Sequence, residues 1–192
     1  MKGNLALLLL LLVTCSFKPA VNAPAVVKIY SEEMKLYNMI MEYRKIHNLA
    51  IIPLSKSLTF VAQEHCKDLS ANHNNNSLAG TCNMHSWSQS SKWSSCCYTP
   101  DHRFAQCMWD KPKELTSYGD TGYEISFGTS SLANADMALN SWIGSSTHNQ
   151  VILNEGIWKN ANWNAIGIGI KNGYATVWFG LSVDKEGAPV AE

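Results

Sequence analysis

Apolar residues recur every three or four positions in three stretches of this chain, which is the pattern of helices with one buried face. The first predicted helix begins at Ser31, just ahead of two acidic residues that favour the positive end of a helix dipole, and runs to about His47. The second begins at Ser55 and carries His65 on its apolar face, and the third covers residues 132–143. We interpret His65 as a core histidine and His47 as a partner of the helix dipole, so neither is a predicted site residue.

The C-terminal third of the chain alternates apolar and small residues, which is the pattern of β-strands. Isoleucine alternates with glycine from Ile166 to Ile170, Asn172-Gly173 supplies a tight turn, and alternation resumes from Tyr174 to Leu181. This pattern predicts an antiparallel hairpin. Because the glycines leave one strand face without side chains, we expect a helix or a tryptophan to pack closely against it.

The segment from residue 72 to 130 shows no sustained period and predicts long loops with short strands. Farther on, Thr147 and Gln150 have the spacing of a capping box, which places His148 in the first turn of a short helix. That position disfavours an added positive charge, so His148 is expected to remain neutral near neutral pH. Early helices, a midway helix and late antiparallel strands together predict an α+β fold.

The two ends of the chain suggest how it is processed. Residues 1–23 have the layout of a secretory signal peptide, although cleavage after Ser16 competes, and Cys15 would be acylated in a bacterial lipoprotein. The apolar run is too short to span a bilayer, so we expect a secreted, extracellular product without a transmembrane segment. The predicted single domain covers residues 24–184, and residues 185–192 form a tail.

The charge balance argues against one class of partner, and one motif predicts glycosylation. Fifteen basic residues balance fifteen acidic ones, so no global field attracts nucleic acid, and we expect a monomer with no nucleic-acid partner. Asn75-Asn76-Ser77 is an acceptor sequence for N-glycosylation at Asn75.

Five cysteines remain after removal of the signal segment, which predicts two disulfides and one spare thiol in an oxidising compartment. The candidates are Cys66, Cys82, Cys96, Cys97 and Cys107. Joining the adjacent Cys96 and Cys97 would strain a small ring, so we expect each to pair elsewhere, and the pairing otherwise stays open. The alternative is a structural zinc site formed by Cys82, Cys96, His102 and Cys107.

Several motifs in sequence order resemble the CAP superfamily, the secreted domain shared by cysteine-rich secretory proteins, insect venom antigens and plant pathogenesis-related proteins. They are Pro53-Leu54 with Leu58 and Ala62, Cys82-Asn83-Met84-His85-Ser86, Gly122-Tyr123-Glu124-Ile125, Trp142 with Ser145 and His148, Ile152-Leu153-Asn154, and Ile166-Gly167-Ile168-Gly169. The resemblance covers residues 31–182 and is closer to the short microbial-type branch. It implies a three-layer α-β-α sandwich with a central antiparallel sheet.

In that family two histidines and two glutamates border a shallow central cavity. By motif position, the resemblance places the histidines at His85 and His148 and the first glutamate at Glu124, although the family usually has Gly-Glu-Asn where this chain has Gly122-Tyr123-Glu124. Ser145 stands where the second glutamate is usual, which leaves a triad. Two imidazoles and a carboxylate suit Zn²⁺ or another divalent cation, and we expect no organic cofactor. Alternatively, the two histidines only form hydrogen bonds that hold the cavity walls.

The predicted function is binding, with a small apolar ligand, a sterol or a protein partner held at this cavity. The first alternative is a metal- or serine-dependent hydrolase at the same place. Its nucleophile would be one of the neighbouring serines Ser86, Ser145 and Ser146, although the chain has no Gly-x-Ser-x-Gly motif. Trp142 is the remaining predicted neighbour of the cavity.

The second alternative is a carrier of sterol or lipid. Trp87, Trp93 and Trp109 fall in the loop-rich segment and could line a groove for an apolar ligand. The competing interpretation is that these tryptophans pack over the disulfides.

Overall fold

The computed structural model describes residues 24–76 and 81–192, and the side chains of residues 73–76 lie outside this description. The predicted signal peptide, Cys15 and the side chain of the predicted glycosylation site Asn75 therefore lie outside the described residues. Within the described part, no helix combines the length and the apolar character needed to cross a membrane.

Six helices and five strands follow one another along the described chain. In order they are β1 (Lys28–Ile29), α1 (Ser31–Ile46), α2 (Lys56–Asn76), α3 (Gln106–Trp109), α4 (Lys111–Leu115), β2 (Gly122–Gly128), α5 (Ala135–Gly144), α6 (Ser146–Leu153), β3 (Ala165–Lys171), β4 (Tyr174–Gly180) and β5 (Val190–Ala191). A short 3₁₀ turn, Gly156–Trp158, follows α6. The predicted first and second helices and the C-terminal hairpin are confirmed.

Two helix starts differ from the sequence prediction. Helix α5 begins at Ala135, three residues later than predicted, because the Asn134 side chain accepts a hydrogen bond from the Met137 amide and caps the helix there. Helix α6 is capped at Ser145 rather than Thr147, so the predicted capping box is wrong, but His148 does lie in the first turn.

The central sheet has the strand order β2-β4-β3, with both neighbouring pairs antiparallel. Helix α2 packs on one face against β3 and β4, while α1, α5 and α6 share a hydrophobic core with the other face. This arrangement confirms the predicted α+β, three-layer α-β-α sandwich. Strand β2, with Glu124 opposite Trp178, lies in the segment predicted as loops with short strands.

The glycines of β3 allow helix α2 to lie directly on the strand. A Cβ atom added to Gly167 would come within 2.0 Å of the Leu58 carbonyl carbon, and one added to Gly169 within 2.4 Å of the Ala62 carbonyl. The partner expected on this strand face is therefore the backbone of a helix. This contact fixes α2, and with it His65, against the sheet.

The C-terminal residues return to the start of the domain. Strand β5 pairs in parallel with β1, with Lys28 opposite Val190 and Ile29 opposite Ala191. Residues 185–192, predicted as a tail, thus include a strand that is hydrogen-bonded to the domain.

Two disulfides hold the loop-rich segment. They join Cys82 to Cys97 and Cys96 to Cys107, and the remaining thiol, Cys66, is buried on α2. The predicted count of two disulfides and one spare thiol is confirmed. The alternative zinc site is wrong, because its three cysteine sulfurs are all oxidised.

The loop tryptophans pack inside the protein. Trp87 and Trp93 are buried and meet edge to face, with ring centroids 5.2 Å apart. They belong to a core that includes Cys96 and residues of α2. The expectation that Trp87 and Trp93 line an open groove is therefore wrong, and the packing interpretation is confirmed for both.

Candidate functional site

One cavity of about 440 Å³ contains all three predicted site residues in its wall. It lies between the disulfide-bonded loop, strand β2, helix α6 and the 3₁₀ turn. The lining residues are Asn83, His85, Tyr98, Pro100, His102, Glu124, Ile125, Thr147, His148, Gln150, Val151, Ile157 and Trp158. The tertiary structure therefore brings His85, Glu124 and His148 to one hollow from three separate parts of the chain.

Glu124 forms the polar floor of the cavity and links two imidazole rings. One carboxylate oxygen, Oε1, lies 2.7 Å from His85 Nδ1, and the other, Oε2, contacts His65 Nδ1. The Glu124 side chain has no exposed surface, whereas His85 keeps 19% of its side-chain surface exposed. The hydrogen bond to the carboxylate thus orients the His85 ring, and the exposed part of His85 lies in the cavity.

The charge of Glu124 depends on these two rings. Burial raises the pKa of Glu124, but the charges and hydrogen bonds of His65 and His85 outweigh it, so the pKa lies below its ordinary value. Glu124 is therefore a carboxylate at neutral pH. A buried anion that accepts from both rings favours the His85 form in which Nδ1 carries the proton and Nε2 has a free lone pair.

His148 approaches the same cavity from the first turn of α6. Burial lowers the pKa of His148 below the ordinary histidine value, and the nearby His85 lowers it further. His148 is consequently neutral at neutral pH and has a ring nitrogen available as a ligand or a base.

The titration of His148 tests this environment. We expect an NMR midpoint for His148 below the ordinary value of about 6.5. In a His85→Ala variant the midpoint should rise, yet stay below that value, because burial is the larger cause and remains in place. A wild-type midpoint at or above 6.5 would show that His148 is more open to solvent than described here.

The predicted ligand set is not assembled as a three-ligand metal centre. Among the described residues, no group of three or more histidine, cysteine, aspartate or glutamate side chains is placed to hold a metal ion. Both oxygens of Glu124 already accept from imidazoles, so the groups that can face an incoming cation are His85 and His148. Imidazole nitrogens are common ligands of Zn²⁺. In zinc sites the other ring nitrogen of such a histidine often donates a hydrogen bond to a carboxylate, as His85 does to Glu124.

The predicted neighbours of the cavity lie outside its wall. Trp142 is fully buried and donates from Nε1 to the Ser126 carbonyl at 3.0 Å. Ser86 is buried, and its Oγ accepts from the Tyr98 amide at 2.9 Å. Ser145 is the N-cap residue of α6, but its side chain makes no capping hydrogen bond, and Ser146 is exposed. Neither serine lines the cavity.

Among the residues of the site that were not predicted for it, three carry a histidine or tyrosine side chain: His65, Tyr98 and His102. His65 was interpreted as a core histidine, which is correct for its burial, but it also contacts Glu124. Tyr98 and His102 line the cavity together, with the Tyr98 hydroxyl 2.6 Å from His102 Nδ1. The available signal was a pair of ionisable residues, His65 and Glu124, each within an apolar stretch, since buried groups of this kind need partners.

Comparison with protein-family models and with curated protein sequences finds no match. Solved structures do match. An extracellular protein containing an SCP domain from Bacillus anthracis is 17% identical with a TM-score of 0.50, over 77% of this chain and 39% of that protein. An outer surface protein from Borrelia burgdorferi is 20% identical with a TM-score of 0.50, over 78% of this chain and 92% of that one. The chain therefore has the three-layer fold of SCP-domain proteins, the CAP fold that its motifs resemble.

Proposed function

We propose that this chain is a secreted binding module of the CAP type whose ligand occupies the cavity between His85 and His148. The observation that carries the proposal is the pairing of these two imidazoles in one hollow, with the buried Glu124 orienting the first of them. The two solved relatives described as extracellular or outer-surface proteins support the location.

A divalent cation, with Zn²⁺ as the best candidate, is the proposed first ligand. His85 is held with Nδ1 on Glu124, which leaves Nε2 as its donor atom, and the lowered pKa of His148 keeps the second imidazole unprotonated. Two protein ligands leave coordination positions open for water or for a donor atom of a further ligand. When bound, the cation would supply a positive charge that holds such a donor atom.

The rest of the cavity wall includes apolar side chains that can pack against an apolar part of that further ligand. Ile157 has 86% of its surface exposed and, with Trp158, lines the cavity beside Pro100 and Val151. An apolar side chain this open gains free energy when a ligand covers it, at roughly 25 cal/mol per Å². We therefore propose a small ligand with one polar donor and an apolar body, a class that includes sterols and fatty acids.

Zinc titration by calorimetry tests the proposal. We expect the wild-type chain to bind Zn²⁺ and either His85→Ala or His148→Ala to weaken binding at least tenfold, since each removes one of two protein ligands. The matched control is the Ser145→Ala/Ser146→Ala double variant, which leaves both imidazoles in place and should bind as the wild type does.

The same variants separate binding from hydrolysis. Ser86 is the serine nearest to the site in sequence, but its Oγ is buried and engaged with Tyr98, and the other two serines lie outside the cavity wall. We therefore expect no turnover of ester substrates that depends on these serines. Zinc affinity unchanged in both histidine variants would contradict the cation site, and ester turnover abolished by the serine substitutions would favour a hydrolase.

A further inference from the structure

His65 is a buried ionisable group that the proposed binding role does not use directly. Its ring has no exposed surface and is stacked on Trp87, with centroids 4.3 Å apart and planes 7° from parallel. The rings of Trp178 and His65 meet in an edge-to-face arrangement, with their centroids 6.4 Å apart. The two tryptophans therefore fix the plane of the imidazole, and the contacts of its two nitrogens fix which of the two orientations in that plane it adopts.

Both ring nitrogens of His65 contact an oxygen atom. His65 Nδ1 contacts Oε2 of Glu124, and His65 Nε2 lies 3.1 Å from the carbonyl oxygen of Ser86. His65 is therefore held at both ring nitrogens, between the Glu124 carboxylate and the backbone carbonyl of Ser86.

Both groups that His65 contacts are connected to His85. Glu124 accepts from His85 Nδ1 through its other oxygen at 2.7 Å, and Ser86 is the next residue in the chain after His85. Trp87, which follows Ser86, stacks on His65 itself. His65 thus contacts the orienting group of His85 and the backbone beside it.

We infer that His65 is a positioning residue that acts through Glu124 to hold His85 with Nδ1 protonated and Nε2 facing the cavity. The inference deepens the proposed function and rests on it for its consequence, which is a preformed donor atom for the ligand. Without the donor at His65, Oε2 of Glu124 loses the partner that fixes the orientation of the carboxylate. The carboxylate can then turn, so it no longer holds the His85 ring in one orientation and one tautomer.

Histidine NMR of the full chain tests this directly, at a pH above the ordinary histidine range. In the wild type, the ¹⁵N signals should show His85 protonated at Nδ1 and not at Nε2. Asparagine and glutamine substitutions separate the two contacts, because the asparagine amide reaches the position of Nδ1 and the glutamine amide that of Nε2. His65→Asn should keep the single tautomer of His85, whereas His65→Gln should give a mixture.

The exposed His47 provides the matched control, since His47→Gln removes a histidine from the surface of the same domain and should leave the His85 signals unchanged. A folded His65→Gln variant with an unaltered His85 spectrum would overturn the inference. If the His65 variants do not fold, a wild-type spectrum in which Nδ1 of His85 lacks a proton would overturn it as well.

Zinc titration of the same variants adds a second readout. Loss of the direct partner of a metal ligand typically lowers metal affinity 10–100-fold. His65 acts one contact further away, through Glu124, so we expect about tenfold weaker zinc binding in His65→Gln, the lower end of that range, and a smaller loss in His65→Asn. A wild-type chain that binds no zinc but shows the expected His85 spectrum would refute the cation site and leave the positioning role intact. Equal zinc affinity in both variants, with zinc bound by the wild type, would refute the positioning role.

Discussion

Gly167→Ala is expected to lower the free energy of unfolding by about 3 kcal/mol or more, the upper end of the usual cost of overpacking. The added Cβ atom would lie 2.0 Å from the Leu58 carbonyl carbon and 2.3 Å from the Thr59 nitrogen. Both atoms belong to the backbone of α2, so no side-chain rotation relieves the overlap, and the helix must move away from the sheet. Urea denaturation followed by tryptophan fluorescence measures the loss.

The matched control is Gly144→Ala at the end of α5. A Cβ atom there meets nothing within 4 Å, so we expect stability within about 1 kcal/mol of the wild type, with any change in the stabilising direction. If Gly167→Ala were as stable as Gly144→Ala, helix α2 could not lie on β3 as closely as described. The position of His65 relative to Glu124 would then need revision too, because α2 carries His65.

Glu124→Gln is expected to cost about 3–5 kcal/mol of unfolding free energy, the range for removing one partner of a buried ion pair. The glutamine side chain has nearly the same shape, but it offers one acceptor oxygen and one N–H₂ donor. His65 Nδ1 and His85 Nδ1 both need an acceptor at this position. One ring therefore faces the N–H₂ donor and must change its tautomer or lose its hydrogen bond, so the contacts that fix both rings are broken.

The pH dependence of this loss identifies its cause. The pKa of Glu124 is lowered in the folded chain, so its contribution is complete above the ordinary glutamate value of about 4.3 and is lost as the pH falls further. The difference between wild type and Glu124→Gln should be largest at neutral pH and shrink in acid. Glu42→Gln, which changes an exposed glutamate on α1, should cost less than about 1 kcal/mol. A Glu124→Gln loss that did not vary with pH would argue for a packing defect instead of a lost charge.

Helix α2 and the β3–β4 hairpin could be predicted closely because their signals are local. A stripe of apolar residues three and four positions apart requires a helix to bury it, and Asn172, with φ of 51°, adopts the left-handed conformation that the tight turn needs. The start of α5 was less accurate. Leu132 continues the apolar period but is 74% exposed, because the cap at Asn134 begins the helix beyond it.

The disulfide pairing illustrates a limit of local reasoning. The number of spare thiols followed from counting cysteines in an oxidising compartment, but the partner of each cysteine depends on which side chains the fold brings within bonding distance. Cys66 remained unpaired because it lies on the buried face of α2, where its sulfur contacts the Gly169 carbonyl at 3.2 Å.

By itself, the sequence determined helices α1, α2, α5 and α6, the hairpin, the two cavity histidines and the fold that their spacing resembles, because periodicity and short motifs involve neighbouring residues. It did not predict the short helices α3 and α4, which lie in the segment predicted as loops with short strands. Only the tertiary structure decided that Glu124 lies between two imidazoles and that His65 is one of them. These residues are 59 positions apart in the chain. They meet because the glycine face of β3 lets α2 lie against the sheet, and a contact of that kind depends on how whole elements pack.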